Sequence, residues 1–140
     1  MILPSSMKVL VVDDNDFARA TASAMLMRLG LEDIVEADSG AKAVALLLSE
    51  KYDLLLADWY MPEVSGAGLV RIVRCRDFGV NRTIPIVIAT AYATRENIGA
   101  ARALGITEIV IKPLEQPILA TALSRAVSLR PDDDQIFIED

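Results

Sequence analysis

Four short apolar runs, each closed by a polar residue, limit what this chain can fold into. Val9-Leu10-Val11-Val12 runs into Asp13-Asp14, Leu54-Leu55-Leu56-Ala57 into Asp58, Ile86-Val87-Ile88-Ala89 into Thr90, and Ile109-Val110-Ile111 into Lys112-Pro113. Runs of this length are too short to span a membrane, and unbroken rather than alternating apolarity marks strands buried on both faces of a parallel sheet. The segments between them have helical period, so the pattern predicts βα repeats. In open parallel sheets ligands bind beyond the carboxyl ends of the strands, where strand order reverses. All the polar residues that close the runs fall on that edge.

The intervening segments carry start and stop signals. A first strand over Lys8 to Val12 is followed by an Ala-rich helix from about Asp16 to Leu29. That helix stops at Gly30 with apolar Leu31 behind it, a C-cap pattern that recurs at Leu104-Gly105-Ile106. A second strand near Ile34 to Ala37 is broken by Glu36, which places it at a sheet edge. Ser39 caps a helix running to about Glu50, and Ser65-Gly66 starts another, after the Met61-Pro62 turn, with Leu69, Val70, Ile72 and Val73 facing inward. Trp59 and Met61 are expected to pack around that turn. A polar loop from Asp77 to Thr83 leads to the fourth strand.

Thr94 caps a helix containing Gly99, which costs a helix interior about 1 kcal/mol relative to Ala, so this helix should be the loosest. The last helix has Pro117 in its first turn and apolar Ile118, Leu119, Ala122, Leu123, Ala126 and Val127 at the 3.6 period; Pro131 closes it. The acidic tail Asp132-Asp133-Asp134 reads as a solvated end, with docking through the apolar Ile136-Phe137-Ile138 as the alternative. The division expected is a flexible N-terminus over 1–6, one domain over 7–129 and the tail over 130–140.

At 140 residues the chain fits one domain, which can bury roughly 70% of its unfolded surface without disulfides or structural metal. Twenty acidic against fourteen basic residues give a net charge of −6, which argues against direct nucleic-acid binding. The only cysteine, Cys75, falls in a stretch read as helical, Leu69 to Arg76, and has no intrachain partner; it is read as inert, in a reduced cytosolic setting. The first six residues lack the basic start and apolar core of a secretory signal, so a cytoplasmic protein without membrane insertion is expected. Histidine is absent, which removes Ser-His-Asp and Cys-His catalysis, His-ligated zinc and any phosphohistidine within the chain. Histidine chemistry must come from a partner.

Asp13, Asp14 and Asp58, from neighbouring strand ends, make a hard-oxygen site that suits Mg²⁺, an ion that takes one or two carboxylates, keeps waters and accepts phosphate oxygens. Two unit charges about 4 Å apart repel by about 4 kcal/mol at an effective dielectric near 20, so a divalent ion and the Lys112 ammonium would both relieve the crowding. Metal and lysine together also stabilise a phosphoryl group in transfer. Taken singly, each residue has a plainer reading: Asp13 or Asp14 as a cap of the first helix, Asp58 as a turn acid, Thr90 as a strand-end β-former, Lys112 as a solvated charge. Their joint occurrence is what points to a site.

The acidic pair Asp13-Asp14 after the first strand, Asp58 before Met61-Pro62, Thr90-Ala91 after the fourth and Lys112-Pro113 after the fifth resemble the receiver domain of two-component response regulators, the CheY-like family. The resemblance runs from about Met7 to Leu129. It implies a doubly wound (βα)5 flavodoxin-like α/β sandwich with a parallel five-stranded sheet in order 2-1-3-4-5. It further implies that Asp58 is the phosphoacceptor, taking a phosphoryl group from a histidine kinase, a histidine phosphotransfer protein or a small phosphodonor. Mg²⁺ would be held by Asp13 or Asp14, Asp58 and the backbone carbonyl of Tyr60, with Lys112 pairing the phosphoryl oxygens. Thr90 would move to hydrogen-bond the aspartyl phosphate and repack the surface of the fourth helix, fifth strand and fifth helix, the face for a downstream target. The same resemblance implies a bacterial signalling phosphoprotein rather than an enzyme, with at most slow self-dephosphorylation; with no effector domain in the sequence, a stand-alone shuttle working through protein binding is expected, a fragment of a larger regulator being the alternative.

The chain departs from the family pattern at Ile109, three before the lysine, where an aromatic that swings with the threonine is common. Tyr60, two after the phosphoacceptor position, and Tyr92, two after Thr90, stand where the family tunes the lifetime of the phosphoryl group, and bulky rings there would shield it from water. Two other readings stay open. Asp-x-Asp at Asp14-Asn15-Asp16 resembles the nucleophile motif of haloacid-dehalogenase-type Mg²⁺-dependent phosphatases, with Asp14 as nucleophile; a receiver-like interaction module that never uses phosphate is the other.

Overall fold

The computed structural model describes residues 5–106 and 108–128. The expectations for Met1 to Pro4, for Pro131 and for the tail lie outside the described residues. Five strands alternate with five helices: β1 (Lys8–Val12), α1 (Asp16–Arg28), β2 (Asp33–Ala37), α2 (Gly40–Ser49), β3 (Leu54–Asp58), α3 (Gly66–Val73), β4 (Ile86–Thr90), α4 (Arg95–Ala103), β5 (Glu108–Ile111) and α5 (Gln116–Ser128). The strands form one sheet in the order β2-β1-β3-β4-β5, every neighbouring pair parallel.

The unbroken apolar runs are explained by two cores. Along β1, Leu10 and Val12 face a cluster shared with Leu55 and Ala57 of β3, Ile86 and Ile88 of β4, Leu47 of α2, Leu69 and Val73 of α3 and Ala101 of α4. The alternate residues Val9 and Val11 face the other way, onto Leu54, Leu56, Val87 and Val110, covered by Leu26 of α1 and Leu119 and Leu123 of α5. A strand with helices on both faces has no face left for polar residues. The interrupted strand β2 sits at the sheet edge as expected, and Trp59 and Met61 are buried in the first cluster.

The helix termini follow the sequence signals. Ser39, Ser65 and Thr94 each accept a backbone N–H three residues on. At the end of α1, Gly30 has φ 95°, its N–H reaches the Met27 carbonyl, and the Leu31 N–H reaches that of Leu26. Gly105, Arg102, Ile106 and Ala101 repeat the same paired bonds after α4. Among α4 residues only Ala101 is buried, in keeping with a helix held by few contacts.

Three expectations need correction. Helix α3 ends at Val73, so Cys75 lies beyond it, half-buried, its thiol donating to the Arg71 carbonyl at 3.2 Å. At the end of the helix Arg74 turns inward, its buried guanidinium donating to the carbonyls of Arg82 and Ile84, both at 2.7 Å. Ile72 is not inward but 36% exposed, and in α5 Ile118 keeps the apolar period yet is half-exposed.

A candidate phosphoryl-acceptor site at the carboxyl edge

Strand register decides which polar residues meet. Val12 lies opposite Ala57, Asp58 opposite Ala89 and Thr90 opposite Ile111, so the ends of β1, β3, β4 and β5 line up along one edge. Two further bonds lock that edge beyond the strands: Trp59 N–H to the Ala89 carbonyl at 3.1 Å, and Lys112 N–H to the Thr90 carbonyl at 2.8 Å. Gly66 fixes the other side of Asp58. A Cβ on Gly66 would come within 2.5 Å of the Asp58 carbonyl oxygen and 2.7 Å of Trp59 Cα, so α3 seats directly against the end of β3. Between them Glu63 adopts φ 65°, a left-handed conformation that costs a non-glycine residue strain and that shapes the turn after Pro62.

Asp13 is almost fully buried and held on every side. Its Oδ1 accepts the Asn15 N–H at 2.9 Å, its Oδ2 accepts the Lys112 ammonium at 2.7 Å, and its carbonyl accepts from Arg19 Nη1 at 3.0 Å. Neither Asp13 nor Asp14 caps α1. Asn15 does, its side chain accepting the Ala18 N–H at 2.8 Å. Arg19 also donates to Asp16 at 2.8 Å and to Glu36 of β2 at 2.9 Å, fastening the β1 terminus to its neighbours. Asn15 and Arg19 were not legible as site-supporting residues, although an Asn directly before a helical period is a recognisable cap signal.

Asp58 lies between these elements, its Oδ1 3.3 Å from Lys112 Nζ. One carboxylate oxygen from each of Asp13, Asp14 and Asp58 falls within 4.8 Å of the others, a group able to hold a metal ion. Burial first, and then the fields of Asp13 and Asp14, hold the Asp58 carboxyl above its ordinary range, with Lys112 opposing. Burial works against the Lys112 charge, but the Asp13 hydrogen bond and the field of Asp58 outweigh it and raise its pKa. Thr90 is buried, its hydroxyl accepting the Tyr92 N–H at 3.0 Å. Asp13, Asp14, Asp58 and Lys112 therefore meet, with Thr90 at the end of the adjoining strand, while Tyr60 and Tyr92 stand exposed above with rings edge-to-face at 5.4 Å between centroids.

A doubly wound parallel sandwich with an acidic cluster and a lysine at the carboxyl ends of its central strands defines a class of hard-cation, phosphoryl-handling modules. The chain belongs to the response regulator receiver domain family, whose family model matches residues 9–124. It is 34% identical over 119 residues to the chemotaxis protein CheY of Pseudomonas aeruginosa, covering 85% of this chain and 94% of that one. The high-resolution structure of the Vibrio cholerae chemotaxis response regulator CheY4 superposes with a TM-score of 0.76 at 28% identity, over 86% of this chain and 98% of the other. The receiver domain of a Pseudomonas aeruginosa sensor histidine kinase, solved with a magnesium ion coordinated in its active site cleft, superposes with a TM-score of 0.77 at 26% identity, over 87% and 98% of the two chains.

The chain is thus a CheY-like receiver domain of two-component, phosphorelay signalling. Receiver domains of this type are signalling domains that interact with histidine kinases and phosphotransfer proteins. No helix among the described residues is long and apolar enough to cross a membrane.

Proposed function

We propose that residues 7–129 act as a receiver whose phosphoacceptor is Asp58, and that Asp13, Asp14, Asp58 and the Tyr60 carbonyl hold Mg²⁺. The observation that carries this is the placement of Asp58: half-sunk at a strand end, 3.3 Å from Lys112 and grouped with two further carboxylates. The donor set fits the ion, being all hard oxygen with more negative charge than one lysine offsets. When bound, the ion supplies neutralisation of charge on transferring oxygens.

The rest follows from the chain's own residues. Lys112, held by Asp13, presents its ammonium beside Asp58, where an incoming phosphoryl group places its oxygens. Buried Asp13 keeps its two bonds and serves as the fixed wall of the site, whereas exposed Asp14 has room to adjust. Thr90 holds a hydroxyl at the adjoining strand end, able to exchange its bond from Tyr92 N–H for one to the modified Asp58. That exchange couples the acceptor to the β4–α4 segment and, through it, to a target-binding face formed by α4, β5 and α5, where Ile111 and Ile118 are exposed. Asp14 as a phosphatase nucleophile has less support: it is exposed and is not the acid beside Lys112.

The donor is a phosphohistidine on a partner protein or a small acyl phosphate, and the site works in a cytoplasmic setting. Self-dephosphorylation is slow. The test is intact mass after incubation with acetyl phosphate and MgCl2: wild type gains one phosphoryl group, lost with Asp58→Asn and with EDTA. Label that persists in Asp58→Asn and maps to Asp14 would move the assignment to the phosphatase chemistry.

A further inference from the structure

A side chain on α4 that the receiver chemistry does not call for ties the two tyrosines together. Asn97 Nδ2 donates one hydrogen to the Tyr60 hydroxyl at 2.6 Å and the other to the Tyr92 carbonyl at 2.7 Å. An amide has two such hydrogens, so both are committed to the two segments that flank the acceptor. The Asn97 backbone is itself fixed, its N–H donating to the Thr94 cap at 3.1 Å. Edge-to-face packing of the rings completes the clasp, and the Tyr92 N–H continues it to Thr90. One chain of contacts therefore runs from the first turn of α4 through Tyr92 to the Thr90 hydroxyl, and through Tyr60 to the loop directly after Asp58.

The usual room for a moving ring is missing on the inner side. Behind Thr90, Ile109 and Ile98 border a cavity of about 10 Å³, also lined by Trp59, Ala101 and Asn97 itself. That is about the space of a single water and far less than an aromatic side chain needs. The contact of the Thr90 hydroxyl leads outward instead, to the Tyr92 N–H, and from the Tyr92 carbonyl to Asn97.

We infer that Asn97 is a positioning residue: its amide locks Tyr60 and Tyr92 as a paired lid, so that the seating of α4 sets how long Asp58 stays phosphorylated. The inference rests on the phosphoacceptor assignment of Asp58. Hydrolysis of the acyl phosphate needs a water in line with the acceptor oxygen, and two rings held in one arrangement admit fewer such waters than two rings free to turn. A partner that holds α4 in the clasped seat would then slow the loss of the phosphoryl group, an effect on a rate and not on a binding equilibrium.

The experiment follows the loss of phosphoryl mass from the full chain after acetyl phosphate is removed, in wild type, Asn97→Ala, Tyr60→Phe and the double variant. Tyr60→Phe keeps the ring and deletes only the hydroxyl that accepts from Asn97, so it guards against a simple folding defect. Each single variant is expected to lose the phosphoryl group about three- to tenfold faster, the scale of one or two lost hydrogen bonds. The double variant should decay no faster than the quicker single one, because both changes open the same clasp. Decay that matches wild type in Asn97→Ala and Tyr60→Phe, or effects that multiply in the double variant, would overturn the clasp while leaving the acceptor assignment standing. A wild type that takes up no phosphoryl group would remove the acceptor assignment and the clasp together.

Discussion

At the amino edge of the sheet, Asn81 is fully buried, donating to the carbonyls of Leu47 at 2.6 Å and Glu50 at 2.7 Å and accepting from the Tyr52 N–H at 2.9 Å. Around it Lys8 pairs with Glu50 at 2.7 Å and lies over the Tyr52 ring, while Tyr52 donates its hydroxyl to Glu50 and Lys8 its backbone N–H to Asp53. Burial first, and then the Glu50 bond, push the Tyr52 phenol up to about 12, so it stays a neutral donor. At the carboxyl edge the arrangement is opposite. Asp13, Asp14 and Asp58 crowd together while the Lys112 ammonium pairs with Asp13 and Asp58, and the Asp58 carboxyl sits above its ordinary range because burial disfavours its charge. The same sheet thus ends in a matched polar network on one side and in surplus negative charge on the other. The lesson is that satisfied polar groups hold this fold, and unsatisfied charge marks where it works.

The largest effect expected from breaking this contrast is at the amino edge. Asn81→Ala deletes three hydrogen bonds and leaves buried partners without replacements, which should cost about 3–5 kcal/mol in urea unfolding. A loss under about 1 kcal/mol would mean that water enters and that this edge is less closed than its burial implies.

A smaller effect is expected at the other edge. Lys112→Met strands Asp13 and Asp58 without their cation and should cost about 1–3 kcal/mol in EDTA, less than a fully buried pair because Lys112 keeps some solvent contact. Adding MgCl2 should narrow the gap to wild type for Lys112→Met, whereas Asn81→Ala, its carboxyl edge intact, should gain only what wild type gains and keep its full deficit. Equal losses with and without the ion would show that Lys112 does not share a site with it.

The two edges were unequally legible in the sequence. The carboxyl edge could be read almost whole, because Asp13-Asp14, Asp58, Thr90 and Lys112 each sit at the end of a contiguous apolar run, and a strand end is a local signal. The sheet order came with the family resemblance, not from the runs themselves. Asn81 and Arg74 were invisible: each works through carbonyls brought near by tertiary structure, and a polar residue in a loop looks the same whether solvated or buried. Ile72 was misplaced for a different reason: it lies within α3 but off the face on which Leu69, Val70 and Val73 are buried. Asn97 was missed because one partner, the Tyr60 hydroxyl, lies 37 residues away and the other is a backbone carbonyl, that of Tyr92.

The charge surplus at Asp58 has a definite sign. Because the folded pKa is raised, protonated Asp58 contributes stability that is full below the unfolded carboxylate value and is lost as pH rises through the folded one. At neutral pH the ionised group therefore weighs against the fold unless a cation answers it. The most direct test is urea unfolding of wild type and Asp58→Asn at pH 7, each in EDTA and in saturating MgCl2. In EDTA the variant should be more stable by about 0.5–2 kcal/mol, the usual scale for relieving a functional site. In MgCl2 wild type should gain through linkage and close or reverse that gap, while the variant gains less. A variant that is less stable than wild type in EDTA, with magnesium leaving both unchanged, would contradict the claim that this edge holds charge in reserve for a metal and a phosphoryl group.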